Sequence, residues 1–195
     1  MHLVPAKCLF SILLFATITL AFPAAWGDFN TRNSIGNLVS GASSIQAVGP
    51  VRGSHVQSRD LVLHEPGSPG NLTVLRHAPM RPLFYIHQNQ LWHYQNETAI
   101  WPVNLVNVTK TAELPLQLVV QPRRAGILDT SWRWRGTMLY LDHGLTSSQG
   151  LFFICPTTDD QSGVFTFLVS SPTPPGCDPV TLHSFQRQTG QRKTS

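Results

Sequence analysis

The sequence predicts an all-β protein: an antiparallel β-sandwich or small barrel of about eight or nine strands, with one disulfide and a flexible segment before it. Three observations lead to this prediction. Short apolar or aromatic runs separated by turn residues recur after Pro82. Two cysteines, Cys155 and Cys177, lie within the same part of the chain. Helical periodicity sustained over more than about ten residues is absent after the N-terminal 27 residues.

Residues 1–27 have the composition of a secretory signal peptide. Lys7 precedes an uncharged apolar run from Cys8 to Phe22, and small residues follow at Ala25 and Gly27. This run of about 15 residues is shorter than the roughly 20 that a membrane span needs. We expect cleavage after Gly27, or alternatively after Ala25. The mature chain is then expected to be secreted, to the extracellular space or the cell wall, and not to be attached to a membrane.

Residues 28–79 are rich in Asn, Ser, Gly and Pro, most clearly in GASSIQAVGPVRGSH and HEPGSPGN. Apolar residues are too sparse in this segment to predict a core of its own. We therefore predict a low-complexity, loosely structured lead segment. The pieces SIQAV and DLVLHE within it are candidates for an added edge strand.

Residues 80–186 are predicted to form the β-domain, and the basic tail 187–195 is predicted to be disordered. The HQN sequence after the first apolar run predicts a tight hairpin. The predicted strands are LFYIH (83–87), QLWHYQ (90–95), AIWPVNLVNV (99–108), LPLQLVV (114–120), SWRWRG (131–136), TMLYLD (137–142), GLFFIC (150–155), GVFTFLV (163–169) and PVTLHSF (179–185).

Cys8 leaves with the signal peptide, so the mature chain has two cysteines, Cys155 and Cys177. In an oxidising compartment such a pair predicts one disulfide. It would close a loop of about 23 residues, which stabilises the fold by roughly 3 kcal/mol in the chain-entropy model. The alternative is a metal site, which would need two further ligands. The neighbouring sequence offers none, so we predict no metal.

Three N-glycosylation sequons and the charge distribution bear on partners. The sequons begin at Asn71, Asn96 and Asn107, and none has proline in its middle position. They favour a secreted glycoprotein whose three asparagines face water.

The formal net charge is +4, but the arginines are scattered and only the tail is basic. We therefore expect no nucleic-acid partner.

The SWRWRG stretch places Trp132 and Trp134 on one face of a strand, and Arg133 and Arg135 on the other. Under the favoured interpretation the tryptophans fill the core and the arginines face water. The alternative is an aromatic platform for a sugar ring. The candidate glycan-binding residues are Trp92, Trp101, Trp132 and Trp134.

No catalytic or cofactor-binding residue is predicted. His87 and His93 flank the predicted hairpin, but a zinc site needs a third ligand and the sequence has no HExxH motif. The acidic residues lie mainly at predicted turns, where their local geometry accounts for them. A G-x-S-x-G nucleophile motif is also absent. We expect a protein that is not an enzyme and has no cofactor.

The segment GLFFICPTTDDQSGVFTFLVSSPTPPGCDPVTLHSF resembles the end of the phiA-type fungal cell-wall proteins. Shared elements are Cys155 followed by Pro156, an aromatic strand at 164–168, and a proline-bearing loop to Cys177. The resemblance covers about 35 residues and implies an extracellular fungal β protein with no catalytic residues to carry over.

We therefore expect a non-enzymatic secreted glycoprotein that associates with fungal cell-wall polysaccharide or with an extracellular protein. The alternative is a secreted binding module, either lectin-like or directed at a host.

Overall fold

The computed structural model describes residues 41–52, 55–107, 115–157 and 161–185. They belong to one compact unit. Thirteen strands are present in these residues, every strand-to-strand pairing is antiparallel, and no helix occurs among them. The all-β prediction is confirmed. The predicted signal peptide and the basic tail lie outside the described residues.

The strands are β1 (Ser44–Arg52), β2 (His55–Leu63), β3 (Gly70–Leu75), β4 (Leu83–His87), β5 (Gln90–Asn96), β6 (Ala99–Asn107), β7 (Leu116–Val120), β8 (Thr130–Arg135), β9 (Met138–His143), β10 (Thr146–Ser147), β11 (Phe152–Pro156), β12 (Ser162–Thr166) and β13 (Asp178–Phe185).

All nine predicted strands after Pro82 are confirmed, as β4 to β9 and β11 to β13. The β4–β5 hairpin is also confirmed, with His87 paired to Gln90 across a two-residue turn. Gln88 and Asn89 both have positive φ, 50° and 59°. Positive φ at both central residues defines a type I′ turn, whose twist matches that of paired strands. Strand β10 was not predicted, because two residues carry no periodic signal.

The predicted loosely structured lead segment is wrong for residues 44–75, which form β1, β2 and β3. These strands lie inside the sheet, where β1 pairs with β13 and β3 pairs with β7. The core residues of each strand are spaced two apart, as expected for one face of a strand, although Val62 between Leu61 and Leu63 is also buried. The domain boundary predicted at residue 79 is therefore also wrong. The core residues of these strands are Ile45, Ala47, Leu61, Leu63, Leu72 and Val74.

Seven strands form a closed circuit of pairings, in the order β13, β1, β2, β3, β7, β12, β11 and back to β13. One half of β7, Val119 and Val120, pairs with β3, while Leu116 and Gln117 pair with β12. Beyond the circuit, β6, β5 and β4 extend the sheet from β7. Strands β9, β8 and β10 extend it from β13.

The hydrophobic core is formed by side chains from the circuit and from both of its extensions. Its largest fully buried side chains include Trp132, Phe84 and Phe152. The predicted disulfide between Cys155 and Cys177 is confirmed and joins β11 to the residue before β13. Cys155 belongs to a second, smaller apolar cluster with Phe153 and Phe165. The disulfide thus fixes the proline-bearing segment 167–176 against the sheet.

Candidate functional site

The sheet formed by β4, β5 and β6 has two faces of different character. Residues directly opposite one another in an antiparallel pair lie on the same face. Phe84, His93 and Trp101 are paired in this way across the three strands. Their rings contact one another, with centroids 5.3 Å apart for Phe84 and His93 and 5.9 Å apart for His93 and Trp101. This row packs against the hydrophobic core.

The opposite face carries two parallel rows of apolar and aromatic side chains, which we call the outer aromatic face. One row is formed by Tyr85, Trp92 and Pro102, and the other by Leu83, Tyr94 and Ile100.

Four residues of the outer aromatic face are accessible to solvent. Tyr85, Trp92 and Leu83 are partly exposed, and Ile100 is 37% exposed. Tyr94 and Pro102, which complete the two rows, are buried. None of the six residues is charged, so this surface suits a neutral ligand.

The indole ring of Trp92 is held in place by its own hairpin. Its Nε1–H donates a hydrogen bond of 3.2 Å to the backbone carbonyl of His87. This bond uses the polar edge of the indole and leaves the flat face of the ring for contact with a ligand. A ring fixed in this way loses little conformational entropy when it binds.

Tyr85 lies directly opposite Trp92 in the β4–β5 pair, and its side chain carries a hydroxyl group on the same face. Partial burial raises the pKa of Tyr85 above its ordinary value, because the charged phenolate is poorly solvated there. The hydroxyl therefore stays protonated at neutral pH and is able both to donate and to accept a hydrogen bond.

The four tryptophans proposed as a glycan surface do not lie together. Trp132 is only 1% exposed and belongs to the core, so the sugar-platform interpretation of SWRWRG is wrong for this residue. The core-strand interpretation is confirmed for it, because Trp132 lies directly opposite Leu141 and both belong to the hydrophobic core. Trp134 and Trp101 are partly buried and pack against the same core. Among the four, Trp92 lies on the outer aromatic face.

Both arginines of SWRWRG face outward, as predicted. Arg133 forms an ion pair with Asp142 and lies over the Tyr140 ring, 4.8 Å from its centroid. The ion pair lowers the pKa of Asp142, because the guanidinium donates hydrogen bonds to the carboxylate. Arg133 is thus engaged by its own hairpin rather than left for a ligand.

His87 and His93 lie on opposite faces of the sheet, because His93 faces the core with Phe84 and His87 lies on the other side. Burial lowers the pKa of His93 to about 4, so the ring is neutral at neutral pH. No group of three or more potential metal-binding side chains is found in the part of the chain that the structure describes.

All three sequon asparagines, Asn71, Asn96 and Asn107, are exposed. Asn96 lies at the β5–β6 turn, at one end of the outer aromatic face.

Within the described ranges, no helix is both long and apolar enough to cross a membrane.

A groove of about 760 Å³ lies elsewhere on the surface, between β7 and the proline-bearing segment before Cys177. Phe167, Leu168 and Leu116 line it together with Pro172 and Pro174. Its rim also includes the two residues that flank the segment 108–114, which lies outside the described residues. All six residues of the outer aromatic face lie within the described ranges, and we take this face as the candidate site.

Tyr85 and Tyr94 belong to this site but were not predicted from the sequence. The two-residue turn after His87 would have revealed them, because it fixes the register of the hairpin and places Tyr85 opposite Trp92.

Comparison of the chain with protein-family models, curated proteins and solved structures finds no match.

Proposed function

We propose that this protein is a secreted, non-enzymatic glycoprotein that binds a neutral polysaccharide of the cell wall or extracellular matrix through the outer aromatic face. The observation that carries the proposal is the cross-strand pair of Tyr85 and Trp92, two accessible aromatic side chains on one face. The C–H face of a pyranose ring packs well on flat aromatic rings of this kind.

The arrangement of the two rows favours an extended chain of sugars over a single sugar. Side chains that are paired across neighbouring strands are separated by about 5 Å, which is close to the length of one sugar unit. Successive sugar rings could therefore contact Trp92 and Tyr85 in turn. Ile100 and Leu83 add an apolar border beside them.

Four features support secretion and wall association. The N-terminal sequence has the features of a signal peptide, and the sequon asparagines are exposed. The disulfide between Cys155 and Cys177 suits an oxidising compartment. The resemblance of the C-terminal segment to fungal wall proteins points in the same direction.

The test is a binding isotherm of the purified protein on insoluble β-glucan and chitin, with soluble oligosaccharides as competitors. Trp92→Ala and Tyr85→Ala are each expected to weaken binding about tenfold, the loss of one stacking contact worth about 1.4 kcal/mol. Tyr140→Ala is the matched control, since Tyr140 is a partly exposed tyrosine on the β8–β9 hairpin. Unchanged binding of a folded Trp92→Ala variant would refute the proposal.

An extracellular protein partner, such as a host protein, is the second candidate. It is favoured by Ile100 and Leu83, which are apolar and offer no hydrogen bonds to a sugar. In that case none of the polysaccharides would bind, and a protein partner cross-linked at position 92 would be recovered from extracellular material.

A further inference from the structure

We propose that Asn96 accepts an N-linked glycan in the folded protein, whereas Asn71 accepts one only before β12 docks on β3. This inference rests on the proposed secretion. It concerns the order of folding and modification, which the presence of a sequon alone does not determine.

The Asn96 sequon is fully accessible at a turn. Asn96 and Ala99 close the β5–β6 hairpin, and Asn96, Glu97 and Thr98 are all exposed. The side-chain carbonyl of Asn96 accepts hydrogen bonds of 2.9 Å from both the amide and the hydroxyl of Thr98. The Oδ1 atom is thus engaged, and the Nδ2 atom of the same exposed amide is left as the group that an enzyme can reach.

The Asn71 sequon is incorporated into the sheet. Asn71 is paired with Val119 of β7, and on the other edge its carbonyl accepts a hydrogen bond of 3.0 Å from the His64 amide. A transferase that binds the sequon as a separate peptide would have to break both pairings. The backbone at Asn71 is therefore closed to such an enzyme even though its side chain is exposed.

The hydroxyl of the same sequon is also unavailable after folding. Thr73 is only 7% exposed, and its Oγ1 lies 2.9 Å from the Oγ of Ser162 in β12. Ser162 is 89 residues further along the chain. The hydroxyl that completes the Asn-X-Thr signal is therefore free until β12 has been synthesised and has packed beside β3.

The reaction requires a donor of one chemical class, an oligosaccharide joined through pyrophosphate to a lipid. The Nδ2 atom forms a bond to the anomeric carbon of the sugar, and the bond from that carbon to the pyrophosphate oxygen breaks. The lipid pyrophosphate leaves with the electron pair, and the proton that Nδ2 loses passes to water. Oxidation states do not change, and no further reactant is needed.

The test uses the full chain made without glycans, incubated with a purified oligosaccharyltransferase and its lipid-linked donor. One sample is folded with its disulfide intact. The other is reduced and alkylated with a bulky reagent, which the buried Cys155 site cannot accommodate in the folded chain, and circular dichroism checks that it is unfolded. Occupancy of each sequon is measured by mass spectrometry. In the folded sample we expect occupancy of Asn96 and less than about a tenth of that level at Asn71, which would require local opening of the sheet. In the unfolded sample both sites should be occupied.

Equal occupancy of Asn71 and Asn96 in the folded sample would overturn the inference. So would a folded sample that is not modified at Asn96, or an unfolded sample that is still not modified at Asn71. A Thr98→Ala variant controls for sequon recognition and should lose modification at Asn96 alone. Because transfer is measured in vitro, its failure is independent of whether the protein binds polysaccharide.

Discussion

His93 offers a test of the buried aromatic row because its neutral ring is required by the fold. The side chain is 1% exposed and lies between the rings of Phe84 and Trp101. Its Nδ1 atom has no hydrogen-bond partner among the residues that the structure describes. Replacing histidine with phenylalanine keeps a ring between the two neighbours and removes the titrating group, at the risk of modest overpacking.

The pKa of His93 is about 4 in the folded protein, against an ordinary value of about 6.5. Between these values the unfolded chain binds more protons than the folded one, so stability falls as the pH is lowered from about 6.5 to about 4. The difference in pKa corresponds to roughly 3 kcal/mol in total, and to about 2 kcal/mol between pH 7 and pH 5. Above about pH 6.5 His93 is neutral in both the folded and the unfolded chain, so the protein keeps this full 3 kcal/mol of its free energy of unfolding.

The assay is urea unfolding of the wild type and of His93→Phe at pH 7 and pH 5. The wild type should lose about 2 kcal/mol more free energy of unfolding over this range than the variant does, because all other titrating groups are shared. A Phe84→Leu variant controls for packing, since it alters the same row and retains His93, and it should follow the wild type. Equal pH dependence in wild type and His93→Phe would refute the reasoning.

Three further predictions concern stability and are each measured by urea unfolding. Trp132→Ala should lower the free energy of unfolding by about 3 to 5 kcal/mol, because it leaves a large cavity in the core; a loss below about 1 kcal/mol would contradict its buried position. Replacing both Cys155 and Cys177 with serine should lower the free energy of unfolding by about 3 kcal/mol, because the loop is no longer closed in the unfolded chain. If the wild type and the variant still differ in stability after the wild type is fully reduced, loop closure is not the cause. Gly126→Ala should cost at least about 2 kcal/mol, because Gly126 has φ of 72° and an added Cβ would lie 2.0 Å from the Leu105 carbonyl oxygen; a neutral effect would show that the backbone there adjusts freely.

The sequence was sufficient to predict the strands after Pro82, because each one combines a short apolar run with clear turn residues. It was insufficient for β1 to β3, where the apolar residues are sparse and lie among segments rich in Gly, Pro and Ser. Ile45 and Ala47, for example, belong to a strand that pairs with β2 on one edge and with β13 on the other, and both are buried in the core. Because β13 lies more than 100 positions away, its pairing with β1 is not visible in the local composition.

The candidate site was only partly predicted, because strand register, like long-range pairing, is not visible in the local sequence. The sequence identifies Trp92 as a large aromatic residue, but gives no direct indication of which tryptophans face outward. Trp92 and Trp101 are similar in local context, yet the register of β5 and β6 pairs Trp92 with Pro102 and pairs Trp101 with His93. The two indoles therefore lie on opposite faces of one sheet, and register rather than residue type places Trp92 on the outer aromatic face and Trp101 against the core.

The pairing of β1 with β13 means that these strands form a hairpin that lacks only its turn. Ser44 is directly opposite Phe185, and the Ser44 hydroxyl donates a hydrogen bond of 2.9 Å to the Phe185 carbonyl. The described fold is therefore cyclic in its connectivity, and a short linker between these two strands would complete the circle. A circular permutant opened at the exposed Gly144–Leu145 turn would retain every strand pairing, so the order in which the strands are synthesised is separable from the structure that they form.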